Sequence, residues 1–160
     1  MELFTSVVAP PLEKRRDEWM QNVGEALQEL QTERGIDPED LRSNEGFVDT
    51  VLQASQAALR TSQQEKRDAL RNAILHAALP SAPDQSLQQM FVSWVEVLTV
   101  WHLRILNLFD DPPGWFAREG KRTPELVMGS LSAVLEDAYP ELRGRRGFYD
   151  QVWNDLHQRG

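Results

Sequence analysis

Leu12, Trp19, Val23, Leu27 and Leu30 recur at intervals of seven, four, four and three residues. That is the spacing of one face of an α-helix, and comparable spacings run through almost the whole chain. Nine prolines and nine glycines cut the periodic stretches apart. Apolar and polar residues never alternate for long, and there is no Asn-Gly or Asp-Gly hairpin turn. The pattern therefore predicts an all-α protein, a compact bundle of seven to eight helices. The length of 160 residues suits one domain over 1–160. A subdivision into N-terminal helices over 1–80 and a C-terminal helical unit over 84–160 is the other organisation the sequence allows.

The helix ends are read from turn chemistry. Pro10 and Pro11 close a short apolar lead, Leu3 to Val8, and open the first helix, which Gly35 stops. Asp37-Pro38-Glu39 reads as a cap, a proline at N1 and an acid at N2, opening one short turn that ends near Arg42. A long helix follows from Ser43 or Asn44, with Phe47, Val48, Val51, Leu52, Ala58 and Leu59 on its apolar side. Ser62-Gln63-Gln64-Glu65 fits a capping box and favours a break or kink there, ahead of a segment reaching Pro80, over one long helix across 45–79. The loop Pro80 to Asp84 separates this from a helix over Ser86–Leu98. Thr99 caps the next helix, whose apolar residues lie almost all round and predict a buried central element ending at Asp110-Asp111-Pro112-Pro113-Gly114. Trp115 to Arg118 reads as a strand fragment or an ordered loop. Thr123-Pro124-Glu125 opens a helix carrying Leu126, Val127, Leu131, Val134, Leu135 and Ala138. A last helix runs through Phe148, Val152, Trp153 and Leu156.

Composition excludes several kinds of chemistry. Without cysteine there are no disulfides, thiolate-bound zinc, iron–sulfur clusters or thiol nucleophile. His76, His102 and His157 stand outside any HExxH or ExxH arrangement and read as partly buried or surface imidazoles. There is no phosphate-cradling glycine loop and no G-x-S-x-G elbow. Asp110-Asp111 reads as the end of a helix. No catalytic, cofactor-binding or metal-binding residue is assigned, and no cofactor is expected. No apolar run reaches the roughly 18–20 residues that span a bilayer, and the N-terminal residues do not form a signal peptide, so a cytoplasmic protein without membrane contact is expected.

Two features stand above this background. Trp115 and Phe116 adjoin in a Pro/Gly segment; they either fold back onto the core or form an exposed anchor for a protein partner. Arg118, Lys121, Arg122, Arg143, Arg145 and Arg146 flank the helix that opens at Thr123. They are either a solvated surface, a patch for phosphate or nucleic acid, or a contact for an acidic protein. The net charge of −8 opposes wholesale nucleic-acid binding. The charge is uneven, however: residues 1–80 hold 14 acids and 9 bases, whereas 118–160 hold seven of each.

Leu98-Thr99, His102-Leu103 and Ile105-Leu106, the Thr123 helix, and then Tyr149, Val152-Trp153 and Leu156 resemble the helical core of a winged-helix or helix-turn-helix domain without its wing. That resemblance implies a tri-helical unit over 99–160 with the last segment as recognition helix. Pro11 to Arg16 and Trp101 to Leu106 also resemble a type of bacterial cytosolic all-helical protein, which implies a bacterial source and no particular activity. The function expected is a non-catalytic protein–protein interaction or regulatory module, with a protein partner or a homo-oligomer. A DNA-binding transcriptional regulator is the alternative, and an enzyme with a bundle-interior site the second alternative.

Overall fold

A computed structural model describes residues 2–123 and 131–159, and every regular element among them is helical. The first long helix, α1, spans Ala9–Arg34. It stops where Gly35 takes φ 67°, donating its N–H to Gln31 O at 2.9 Å, a left-handed conformation that a side chain would oppose. The prolines do not end the apolar lead, contrary to expectation. Phe4–Val8 forms a turn of π-helix that runs into α1, with the Ala9 N–H donating to Phe4 O five residues back. Pro10 and Pro11 offer no N–H and crowd the carbonyls four residues earlier, and a wider turn relieves both problems.

Side-chain caps set the next boundaries. Asp37 Oδ1 accepts the Glu39 N–H at 2.9 Å and starts α2, Pro38–Ser43. Asn44 Oδ1 accepts the Phe47 N–H at 3.0 Å and starts α3, Glu45–Arg60. The break near Ser62 is present, but its capping box is not. Instead the chain is extended at Thr61, whose hydroxyl accepts the Gln63 N–H at 3.1 Å, and α4 spans Gln64–Ala77. Asp84 Oδ1 accepts the Ser86 and Leu87 N–H groups ahead of α5, Gln85–Val97.

The chain divides into two compact units, Met1–Val97 and Leu98–Gly160. The boundary falls after α5, not at the proline loop over 80–84. In the first unit α3, α4 and α5 pack on one another, and α1 lies against α3 and α4. Ala54, Ala57, Ala58 and Ala77 are buried with Trp19, Leu70, Ile74 and Val92, so small side chains let the helices approach closely. The Trp19 indole N–H donates to Ser55 Oγ at 2.9 Å, and Arg15 donates to Leu59 O at 3.0 Å. Those two contacts run α1 antiparallel to α3. At the other side Glu96 pairs with Arg60 at 2.7 Å, while Lys66 donates to the Glu96 carbonyl at 2.7 Å.

The second unit holds α6 (Val100–Asp110), α7 (Pro112–Arg118), α8 (Leu131–Ala138), a 3-10 turn (Pro140–Leu142) and α9 (Arg146–Arg159). The helix start expected at Thr123-Pro124-Glu125, with Leu126 and Val127, lies outside the described residues past Thr123. Ile105, Leu108, Trp115, Phe116, Leu135, Leu142 and Val152 form the core. Two expectations are corrected here. The helix after Thr99 is not buried all round: His102, Ile105 and Leu108 face inward and Leu106 faces out. The segment after Asp111 is neither strand nor loop. The Asp111 carboxylate accepts the Gly114 N–H at 3.0 Å, and two prolines occupy first-turn positions, where their missing donors cost nothing.

Candidate interaction surface

The short helix α7 decides the fate of the first sequence candidate. Capped at Asp111, it turns Trp115 and Phe116 inward, leaving them 6% and 1% exposed, so they are core residues and not an exposed partner contact. Trp115 meets Phe116 edge-on at 5.2 Å and Tyr139 at 5.1 Å. The Tyr139 hydroxyl donates to Arg104 O at 3.1 Å. Burial pushes the Tyr139 phenol up to about 12, against the opposing pull of the Arg104 guanidinium.

The second candidate is dispersed among local partners. Arg118 lies 3.7 Å from Asp111, Arg143 3.7 Å from Asp137 and Arg146 3.5 Å from Asp150. The Lys121 ammonium donates to Ala138 O and sits 5.2 Å from the centre of the Trp115 ring. Arg145 stacks over Phe148 at 4.6 Å. Arg122 is exposed. Five of the six cations are thus engaged by six different groups, each exposed ion pair contributing little.

His102 is buried at the start of α6. Its Nδ1 accepts the Thr99 N–H at 3.2 Å and lies 2.7 Å from Thr99 Oγ1, so the ring fills the N3 place of a capping box. Its Nε2 lies 3.5 Å from Asp155 Oδ2 on α9. The capping contacts of the ring are thus confined to Thr99, and its Nε2 is buried without a hydrogen-bond partner among the described residues. Neither Thr99 nor His102 lines the adjacent groove. Among the described residues no group of three or more metal-ligating side chains occurs.

Three apolar features remain. A cleft of about 220 Å³ between α3, α4 and α5 is lined by Ala73, Phe91 and Val95, with Thr50, Asn72, His76 and Gln88 as its polar groups. It is smaller than the roughly 300–1,000 Å³ typical of a small-molecule site. Thr50 and Gln88 are committed to each other at 2.7 Å, and Gln88 also donates to Pro83 O. A groove of similar volume runs between α6 and α9 over Ile105, Leu106, Phe109, Trp153, Leu156 and His157. There Trp153 is 37% exposed and meets Phe109 edge-on at 5.2 Å.

The third is the N-terminal helical stretch, and it is the most exposed of all. Leu3, Phe4 and Val7 are 80%, 62% and 63% exposed, and Val8 and Leu12 are also exposed. No residue of the π-helical turn is buried. Since Trp19 faces Ser55 and Arg15 faces Leu59, the antiparallel run brings Leu12 level with the end of α3. Residues 2–11 therefore extend past α3. Leu3 to Val8 was readable in the sequence as an apolar lead, but only its helical conformation puts these side chains on one face.

Compared with known protein families, curated proteins and solved structures, the chain matches none of them.

Proposed function

We propose that this chain is a non-catalytic helical protein–protein interaction module that docks through the N-terminal face formed by Leu3, Phe4, Val7 and Val8. The observation that carries the reading is the exposure of these contiguous apolar side chains on a helix with no buried residue of its own. Contiguous exposed apolar surface of this kind marks interaction sites, and an amphipathic helix supplies anchors at i, i+3 and i+4. The local pairing of the arginines gives the same reading further support over the DNA-binding alternative.

A photo-crosslinking residue placed at Val7, with the same residue at exposed Met20 as background, tests it in the source cells. The expected result is a discrete adduct from position 7 and none from position 20. Equal labelling from both positions would contradict the reading. So would a low-salt shift of duplex DNA that Arg145→Ala with Arg146→Ala abolishes, which would favour the helix-turn-helix alternative.

A further inference from the structure

We infer that a polar cavity between α1 and α4 binds a small zwitterion of the α-amino acid class, its carboxylate held by Arg71 and Arg67 and its ammonium by Glu18 and Asp68. The cavity has a volume of about 90 Å³ and is lined by Glu18 and Asn22 of α1 and by Arg67, Asp68 and Arg71 of α4. It includes no residue of the N-terminal face. The Arg71 Nε–H is buried and has no hydrogen-bond partner in the protein. Nearly every buried donor in a folded chain is partnered, so an orphaned guanidinium nitrogen on a cavity residue calls for an acceptor from outside the chain. Nε–H and the neighbouring Nη–H of an arginine form a side-on fork that takes both oxygens of a carboxylate.

The groups around Arg71 are ordered among themselves. Arg67 donates to Gln64 Oε1 at 2.6 Å, and Gln64 donates in turn to Asp68 Oδ1 at 2.9 Å. Lys14 lies 3.6 Å from Glu18, and the Asn22 amide donates to Glu18 O at 2.8 Å, leaving Asn22 Oδ1 to accept. Among the described residues neither Glu18 nor Asp68 forms an ion pair with Arg71, although all three line one cavity. The space amounts to about three water molecules at roughly 30 Å³ each, which suits an amino acid whose side chain is a hydrogen or a methyl group. The mixture of charges selects the ligand. A phosphate would meet the two carboxylates, and a simple cation would meet the two guanidiniums. A molecule with a carboxylate and an ammonium on one carbon answers both signs and leaves neither charge unmatched.

The Arg71 Nε–H resonance of the isotopically labelled full chain, identified by its absence from Arg71→Lys, reads the site directly. Glycine and L-alanine are titrated at neutral pH and constant ionic strength, with acetate and methylammonium as half-ligands. Both amino acids are expected to shift the resonance saturably, at a midpoint about ten-fold or more below that of acetate, and methylammonium is expected to leave it in place. Glu18 is exposed, so Glu18→Gln retains the fold, as circular dichroism checks. That variant should weaken amino-acid binding by about ten-fold and leave the acetate midpoint unchanged. Equal midpoints for acetate and the amino acids, or an amino-acid midpoint unmoved in Glu18→Gln, would overturn the zwitterion assignment. The absence of a saturable shift with either amino acid would overturn the site and leave the cavity to water.

Discussion

His102 shows how much one side chain can settle. A capping box ordinarily uses glutamate or glutamine at N3, and here an imidazole reaches back to the Thr99 N–H. The substitution His102→Ala removes that acceptor and is expected to lower stability by about 1 kcal/mol. His102→Gln, which keeps an acceptor at N3, should recover much of the loss; urea midpoints for both variants check this. If alanine and glutamine destabilise equally, the ring acts by packing and not by capping. Thr99 was recognisable as a cap from the sequence, but its partner was not, because histidine at N3 is outside the usual pattern. Gly114 is a second single-residue constraint. A Cβ there would fall inside the Asp111 carboxylate, so Gly114→Ala displaces the cap of α7. Tyr139 gives a pH signature. Its phenol ordinarily ionises near 10 and in the folded chain at about 12. Below pH 10 both states keep the proton; between 10 and 12 the unfolded chain loses it first, so stability falls as pH rises through that window. The fall, measured by urea unfolding, should be reduced in Tyr139→Phe. Equal slopes in the two proteins would show that Tyr139 does not carry it.

At the scale of elements, the legible boundaries were those set by local chemistry. Gly35, Asp37-Pro38 and Asn44 each act through backbone groups within four residues of themselves, and so each was visible in the chain. The failures share a different cause. Ser62 and Glu65 fit a capping box by type, yet the extended backbone at Thr61 hands the capping role to the threonine hydroxyl. Pro112-Pro113-Gly114 looks like loop chemistry, but two prolines in a first turn behind an aspartate cap also start a helix, and the apolar core nearby selects that outcome. The helix after Thr99 has more apolar residues than one face can bury. The surplus marks a second apolar surface, a groove lined by Leu106 in which Phe109 meets Trp153, and not a central position. Gly35→Ala is expected to cost about 1 kcal/mol, because its φ of 67° disfavours a Cβ; thermal melts followed by circular dichroism check it. An unchanged melting temperature would mean that α1 ends by fraying instead.

For the whole molecule, the sequence made the all-helical class plain, since helical spacing pervades it. The division of the chain was less legible. Pro80 to Asp84 is the strongest break in composition, yet α5 beyond it packs on α3 and α4, because Val92 and Val95 complete a core begun by Ala54, Leu70 and Ile74. Residues 1–97 contain that entire core and are expected to fold alone, with a cooperative thermal transition and a helical circular-dichroism spectrum. A non-cooperative melt would show that the first unit needs the second. The candidate site was least legible of all. Trp115 and Phe116 drew attention as large adjacent aromatics, but whether such rings are anchors or core depends on tertiary burial. Leu3 to Val8 carry the proposed interaction because they are helical, aligned and uncovered, properties that the bare residue types do not reveal. The central claim is that this stretch is a docking surface for a protein partner. Photo-crosslinking from Val7 in the source cells tests it most directly, with Phe4→Glu as the disrupting variant and Leu106→Glu as a control on the α6–α9 groove. A discrete adduct is expected from the otherwise native chain and from the control, and is expected to be lost in the disrupting variant. No adduct from any of the three, or equal adducts from all three, would contradict the claim.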